Sequence, residues 1–175
     1  MAISYIRLAT IEDIPQIMAI ITKAQALLAQ EDIPQWQNNY PNRAAIAADI
    51  AKHYSYVLIV DQVIAGTAAL LQEEDPNYHQ IYEGEWVNPA DADYASIHRI
   101  AIAPGYHGQH LADFFFSNLL SASYGLGYRQ VRIDTHARNK RMQHIITKAG
   151  FSYSGIVYMH DDASDQRLTY QLFMP

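Results

Sequence analysis

Residues 97–115 read IHRIAIAPGYHGQHLADFF. The apolar, β-branched beginning of this stretch predicts a buried strand at Ser96–Ala103, which Pro104 and Gly105 end. A helix is expected over about residues 109–124. The first N–H groups of a helix have no partner within it and lie at the positive end of its dipole, so this strand–glycine–helix unit favours phosphate binding. The same unit also occurs as an ordinary connection in α/β proteins.

Working outward, the flanking segments predict strands and helices in the order β-α-α-β-β-β-α-β-α-β-β. The boundaries are Ser4–Leu8, 11–30 after the N-cap Thr10, 42–53, Tyr56–Val60, Val63–Leu71, Ser96–Ala103, 109–124, Gln130–Asp134, Asn139–Ala149, 151–158 and 167–173. Alternating strands and helices indicate parallel pairing in the middle, and the hairpins indicate antiparallel pairing elsewhere. We therefore expect one domain, 1–175, of the α/β (α+β) class, with a mixed sheet of about seven strands and helices on both faces.

The composition excludes several classes of site. The 175 residues contain no cysteine, which removes disulfides, thiolate zinc sites, iron–sulfur clusters and a cysteine nucleophile. The net charge of −6 argues against a general nucleic-acid binder, which needs a basic surface. The N-terminal residues do not resemble a secretory leader, and the apolar runs are short for a membrane span, so the expectation is a cytoplasmic protein without a membrane partner.

The charge is unevenly distributed along the chain. Residues 1–98 hold four basic and thirteen acidic residues, whereas residues 99–175 hold eight basic and five acidic ones. Six of the basic residues lie within 129–148. This asymmetry favours two surfaces with different partners, although solvated faces also vary by chance.

Three motifs carry a resemblance to a known family. The first motif is His107-Gly108-Gln109-His110-Leu111-Ala112, which aligns with the pattern [Q/R]-x-x-G-x-[G/A]. The second is NKRMQHIITKAGF (139–151), which aligns with N-x-x-A-x-x-x-Y-x-x-x-G-F. The third is the pair Gln35-Trp36 and Tyr40-Pro41, which is found in a bacterial branch of the same family. On these motifs and the element order, the chain resembles the GNAT superfamily of acyl-CoA-dependent N-acyltransferases over nearly its whole length. The resemblance implies the GNAT fold, whose sheet is splayed between strands four and five.

The resemblance also implies a cofactor and residues to hold it. Acetyl-CoA would be the acetyl donor, with its pantetheine arm paired to the backbone of Ile100, Ala101 and Ile102. The N–H groups of His107, Gly108, Gln109, His110, Leu111 and Ala112 would hold the pyrophosphate. Asn139 would contact the cofactor near the thioester end or the pantetheine arm, and the basic residues of 129–148 would attract the CoA phosphates.

Three departures from the family patterns bear on the site. His107 replaces the Gln or Arg, His110 replaces the obligatory glycine, and Ile146 replaces the tyrosine that often protonates the leaving thiolate. A Cβ at position 110 restricts the backbone, so these changes put the strength of CoA binding in question. The His107-x-x-His110 spacing also allows a metal pair, but no third ligand is evident nearby, and no metal is expected.

Candidates for proton transfer come from several segments. His98 is the first choice for general base because it lies two residues before the acetyl-binding backbone and histidine titrates near neutrality. Glu85 is the second choice, and His136 is a third if Asp134 orients it. Tyr158, Tyr153 and Tyr106 are the available acids, and a thiolate also leaves without one. Each of these residues has a purely structural alternative.

The loops supply candidates for acceptor binding. Trp36, Tyr40, Tyr82, Trp86 and His136 are assigned to the acceptor side, where aromatic rings and the acidic first half favour a cationic amine. Tyr78 belongs to the same aromatic set. Ordinary packing is the alternative for each ring. Dimers are common among GNAT proteins, so a homodimer is an expectation that the resemblance alone supplies.

Two functions follow from these features. The first is an N-acetyltransferase that moves an acetyl group from acetyl-CoA to a primary amine of a small molecule or peptide by direct transfer. The second is a catalytically weak GNAT-fold module that binds an acyl-CoA as a sensor. His98 and the aromatic loops favour the first, whereas His110 and Ile146 favour the second.

Overall fold

A computed structural model describes residues 3–87 and 93–175. The strands are β1 (Ser4–Leu8), β2 (Ser55–Val60), β3 (Val63–Leu71), β4 (Ala95–Ile102), β5 (Gln130–His136), β6 (Ser152–Tyr158) and β7 (Gln166–Phe173). The helices are α1 (Ile14–Gln30), α2 (Arg43–Ala51), α3 (Leu111–Gly125) and α4 (Lys140–Lys148). The order predicted from the sequence is confirmed, with shifts of one to three residues at most boundaries. Residues 88–92, within the predicted loop before β4, lie outside the described residues.

The strands form one mixed seven-stranded sheet in the order β1-β2-β3-β4-β5-β7-β6. β4 and β5 pair in parallel, with Ala95 opposite Val131 and Ser96 opposite Arg132. The pairs β1–β2, β2–β3, β5–β7 and β6–β7 are antiparallel. The predicted mixture of parallel and antiparallel pairing is therefore confirmed.

The chain divides into two compact units. The first, called unit 1, comprises Met1–Leu70 and His98–Leu119, and the second, unit 2, comprises Leu71–Ile97 and Leu120–Pro175. Strand β4 contributes its first three residues to unit 2 and the remainder to unit 1. No helix of the described residues is long and apolar enough to cross a membrane.

The core of unit 1 lies between helices α1 and α2 and the neighbouring strands. Apolar residues of α1 recur at three- and four-residue spacing, which places them on one face of the helix. They pack with residues of α2, β2, β3 and β4 in one buried cluster: Ile14, Ile17, Ile20, Ile21, Ile46, Ile50, Val57, Ile59, Ile64 and Ala101. The strands of this cluster are buried, as their continuous apolar sequences require.

The turns of unit 1 follow from a few polar residues. Asp61 and Gln62 connect β2 to β3 with φ values of +46° and +70°, as expected for a tight hairpin turn. At the start of the first helical segment, the carboxylate of Asp13 accepts the Thr10 backbone N–H at 2.8 Å. Asp13 also accepts the two Nη groups of Arg7 at 2.7 and 2.9 Å, so one carboxylate joins β1 to the helix start.

Unit 2 has one apolar and one polar sheet face at β5, because side chains alternate along a strand. Val131 and Ile133 are buried on the apolar face. On the polar face, Arg132 is 3% exposed, and its guanidinium carbon lies 4.2 Å from the ring centre of Trp86 and 3.9 Å from that of Tyr94. Its Nε donates to Gln130 Oε1 at 2.7 Å, whereas its Nη2 has no partner among the described residues. Burial lowers the pKa of this arginine.

The Arg7–Asp13 contact predicts a pH-dependent stability. The Arg7 hydrogen bond holds the pKa of Asp13 below its ordinary range, so this stabilisation is present at neutral pH and is lost as the pH falls through the lowered pKa. We expect D13N to lower the free energy of unfolding by about 1.5 kcal/mol near neutral pH. The free energies of unfolding of the wild type and D13N, measured with urea, should converge as the pH falls through this lowered pKa. A difference that does not change with pH would contradict the assignment to this carboxylate.

Candidate active site

The segment 98–112 forms one continuous structure within unit 1. The end of β4 is joined to β3, since the Ala103 N–H donates to the Ala65 carbonyl at 2.8 Å. Gly66 lies directly against this strand, where an added Cβ would come within 2.9 Å of Ile102 Cδ1 and 3.1 Å of the Ala101 oxygen. A side chain at position 66 would therefore push on β4. Strand β3 therefore holds Ile100–Ile102 in place on one side. These are the residues that the resemblance expects to pair with the cofactor.

The turn between β4 and α3 is braced by a side chain that the sequence placed in the phosphate loop. The His107 ring, through Nε2, lies 3.1 Å from the Ile102 carbonyl oxygen, which ties the turn back to the end of β4. Residues 107–110 are all exposed. Helix α3 begins at Leu111, and its first helical hydrogen bond runs from the Phe114 N–H to the His110 carbonyl at 3.4 Å. The N–H groups earlier in the first turn lie before this bond in the chain. These donors suit an anion.

His110 stands where the family pattern has glycine, and it adopts a backbone conformation that favours glycine. Its φ is +57°, in the left-handed region, and Gly108 has a φ of +78°. A non-glycine residue pays a steric cost there, because its Cβ crowds the following carbonyl oxygen. His110 Nδ1 lies 3.6 Å from Asp113 Oδ2, and at 80% side-chain exposure this ion pair contributes little stability. The histidine at this position therefore has an energetic cost that glycine would not have.

His98, the first choice for general base, is half-buried on β4. Next to it, Arg99 has a φ of +52° and donates through Nε and Nη2 to the two carboxylate oxygens of Asp49, each at 2.7 Å. Its Nη1 donates to the hydroxyl of Tyr40. The sequence reasoning missed Asp49, although Asp49 lies on the buried face of α2 with Ile46 and Ile50, and a carboxylate on an apolar face requires a partner.

The aromatic candidates of unit 1 lie in the loop before α2. Trp36 is half-buried and packs against the core of unit 1, and Tyr40 is 42% exposed beside Arg99. Tyr40 therefore presents more surface to an acceptor than Trp36 does. Both assignments to the acceptor side stay predictions.

Within unit 2, the candidates fall into a buried set and an exposed set. Trp86 is 5% exposed and donates to the Tyr78 carbonyl at 2.9 Å, so it is part of the aromatic core. Tyr82 is 39% exposed and stacks on Tyr158 with ring centres 4.3 Å apart. Glu85 is exposed, and its N–H donates to the Ser154 carbonyl at 3.0 Å.

The other acid candidates occupy different places. Tyr153 is 52% exposed and meets Tyr170 edge-on, with ring centres 5.8 Å apart. Tyr106 is half-buried in the turn after β4. Ile146, at the position of the family's usual tyrosine, is fully buried, so this position belongs to the core in this chain.

Asp134 does not orient His136. Among the described residues, Asp134 accepts the Tyr78 hydroxyl at 2.6 Å and lies 3.9 Å from Arg167, whereas His136 Nδ1 accepts the Arg138 N–H at 3.1 Å. Burial lowers the pKa of His136, and the Arg167 charge lowers it further. The ring is therefore neutral near pH 7, with its proton on Nε2, and it presents a hydrogen-bond donor.

Asn139 has a structural contact that the sequence did not anticipate. It is 7% exposed, and its Oδ1 accepts the Met142 N–H at 3.1 Å, which caps helix α4. Its cofactor role stays a prediction. Within residues 3–87 and 93–175, no group of three or more His, Cys, Asp or Glu side chains is placed to hold a metal ion, and the His107–His110 pair has no third ligand there.

Comparisons with known proteins agree with the geometry. The model of the Acetyltransferase (GNAT) family matches residues 22–151. A GNAT-family acetyltransferase of Streptococcus agalactiae is 37% identical, with a TM-score of 0.89 over 98% of this chain and 96% of that one. The chain belongs to the GNAT acetyltransferase family. Family membership confirms the resemblance drawn from the three motifs, despite the changes at positions 107, 110 and 146.

More distant acetyltransferase structures share the fold alone. The yncA protein of Salmonella typhimurium, solved with its cofactor acetyl-CoA, is 15% identical with a TM-score of 0.69, covering 98% of this chain and 94% of that one. The ribosomal-protein-S18-alanine N-acetyltransferase of Escherichia coli is 16% identical with a TM-score of 0.65, covering 98% and 94%. Among the curated proteins compared with the chain, none matches.

The left-handed backbone at position 110 predicts a difference between two small substitutions. H110G and H110A both remove the imidazole, but only H110A keeps a Cβ at a φ of +57°. We expect H110G to be more stable than H110A by about 1 kcal/mol. Urea unfolding of both variants measures this difference. Equal stabilities would show that position 110 is not held in the left-handed region in solution.

Proposed function

We propose that this GNAT protein transfers an acetyl group from acetyl-CoA directly to a primary amine of a small molecule or peptide. The observation that carries the proposal is the segment 98–112, in which a largely buried strand leads into an exposed turn and the N-terminal turn of α3. Its family membership supports acetyl-CoA as the donor. The amine acceptor and the roles of individual residues are the further parts of the proposal.

The segment fits the phosphates of acetyl-CoA. His107, Gly108, Gln109, His110, Leu111 and Ala112 would offer backbone N–H groups to the pyrophosphate, and the left-handed His110 keeps the loop in the form that the family's glycine allows. Ile100, Ala101 and Ile102 would pair with the pantetheine arm. The bound cofactor would supply an activated thioester. The basic residues of 129–148 support a long-range attraction for its phosphates.

His98 would hold and move the proton in this reaction. His98 would take one proton from the ammonium form of the acceptor, which frees the nitrogen lone pair. The nitrogen would then bond to the acetyl carbon as the carbon–sulfur bond breaks, and the second proton that the nitrogen loses would pass to the departing thiolate, giving CoA thiol. The low basicity of a thiolate lets it leave without an acid, which agrees with the buried Ile146 at the usual acid position. Glu85 and Tyr158 remain the alternative base and acid.

The acceptor proposal rests on rings and charge. Tyr40 and Tyr82 are partly exposed, and the acidic balance of residues 1–98 favours a positively charged amine. The neutral His136 would donate a hydrogen bond to the acceptor. The burial of Trp86 and the core contacts of Trp36 leave these two rings as the weaker candidates.

The proposed reaction predicts binding and turnover with defined probes. We expect acetyl-CoA to bind in calorimetry, and CoA thiol to appear when spermidine, tyramine or a lysine-containing peptide is added, with mass spectrometry showing one added acetyl group. A112E should weaken acetyl-CoA binding at least about tenfold relative to A112Q, because a carboxylate in the first turn of α3 repels phosphate while the amide of similar shape does not. Binding without thiol release for any amine would favour the sensor module, and absence of binding would contradict both functions.

The assignment of His98 predicts a specific loss. We expect H98Q to lower kcat about 100-fold and to remove the acidic limb of the pH–rate profile, since glutamine does not titrate. H79A is the matched control, because His79 is exposed beside Glu74 and is not part of the proposed site. Full turnover of H98Q would exclude His98 as the base and leave Glu85 as the candidate.

A further inference from the structure

Arg99 has a backbone conformation that is unusual for its place in the fold. Among the described residues, it is the one non-glycine residue with a positive φ inside a strand; the others lie in turns, loops and short helical segments. At a φ of +52° the Cβ of Arg99 is crowded by the backbone. Without a constraint, the residue would adopt the extended conformation that is usual in a strand. Such an outlier persists only where the surroundings impose it, and it is then a reason to look for a function.

Asp49 fixes the side chain of Arg99. The side chains of Arg99 and Asp49 are 12% and 8% exposed, and two parallel hydrogen bonds of 2.7 Å fix the guanidinium in one plane. Burial opposes the charge of Arg99, but the contacts with Asp49 and Tyr40 together outweigh burial and raise the pKa of Arg99. A buried ion pair of this kind adds little stability compared with an apolar pair, so its benefit lies in the geometry it fixes.

Tyr40 provides a second contact on the same guanidinium. Its hydroxyl accepts from Arg99 Nη1, and the guanidinium carbon lies 5.9 Å from the ring centre. The loop before α2 and helix α2 therefore both hold the Arg99 side chain. With three of its N–H groups directed at fixed acceptors, the arginine has little freedom to rotate.

The position of Arg99 in the chain gives this constraint a consequence. Arg99 follows His98 and precedes Ile100–Ile102, so its φ and ψ set the direction of the strand between the proposed base and the backbone proposed to pair with the cofactor. A change of φ from the left-handed to the extended region would reorient the peptide groups on both sides. Misplacement of reacting groups by about 1 Å costs roughly 100-fold in rate.

We propose that Asp49 is a positioning residue for acetyl transfer: through Arg99 it holds the left-handed residue that orients His98 relative to Ile100–Ile102. The inference rests on the proposed function, because it assigns Asp49 a part in that reaction. Neither Asp49 nor Arg99 is required to touch the amine or the acetyl group. Their effect should therefore appear in kcat more than in the KM for the amine.

Two double variants isolate the backbone conformation from the charge. R99G/D49N and R99A/D49N both remove the ion pair, leave no buried charge at either position, and differ by one Cβ. Glycine adopts a φ of +52° without the steric cost, whereas alanine does not. We expect R99G/D49N to keep kcat within about threefold of the wild type and R99A/D49N to lose at least about tenfold, with similar KM values for the amine.

The measurements are CoA thiol release at saturating acetyl-CoA, calorimetric binding of acetyl-CoA, and circular dichroism to confirm that each variant is folded. Equal kcat values for the two double variants would overturn the inference. If neither double variant folds, D49N keeps most of the packing; a lowered kcat with an unchanged KM for the amine would support the inference, and a wild-type kcat would overturn it. A wild-type protein that neither binds acetyl-CoA nor releases thiol would instead refute the proposed function.

Discussion

The contact between Arg99 and Asp49 governs the course of β4, the strand on which the candidate site is built. Local backbone propensity does not favour a left-handed arginine, because arginine prefers the extended or right-handed helical conformation. The contact that imposes it spans 50 residues of sequence. The ion pair adds little to the free energy of unfolding, but removing one partner would leave the other charge buried without compensation. The pair therefore fixes the geometry of β4 more than it stabilises the fold. The turn at 103–110 and the start of α3 both follow from where this strand ends.

Regular structure was accessible from the sequence, and long-range contacts were not. The spacing of Ile14, Ile17 and Ile21 marks the buried face of α1, and Asp61-Gln62 marks a hairpin turn, because both signals lie within a few residues. The pairing of Asp49 with Arg99 and the position of Arg132 between two rings depend on which elements meet. The sequence can show that such a contact is needed, because a charged residue on an apolar helix face or within a buried strand requires a partner. It does not show which residue the partner is.

The candidate site shows how a family motif tolerates substitution. His110 stands at the position of the family's glycine and has a left-handed backbone, so a conformation that favours glycine occurs there although the residue type differs. Ile146 is different, because a fully buried apolar side chain at the usual tyrosine position leaves no acid there. The three motifs could identify the family, but the acceptor depends on loop residues such as Tyr40 and Tyr82, whose exposure only the structure gives.

The distribution of the two tryptophans has an optical consequence. Trp36 is half-buried in unit 1, and Trp86 is 5% exposed in unit 2 beneath the Arg132 guanidinium. The indole of Trp86 is shielded from water and faces a cation, whereas that of Trp36 retains contact with solvent. The tryptophan fluorescence of the chain therefore comes from two indoles in different surroundings, one in each compact unit.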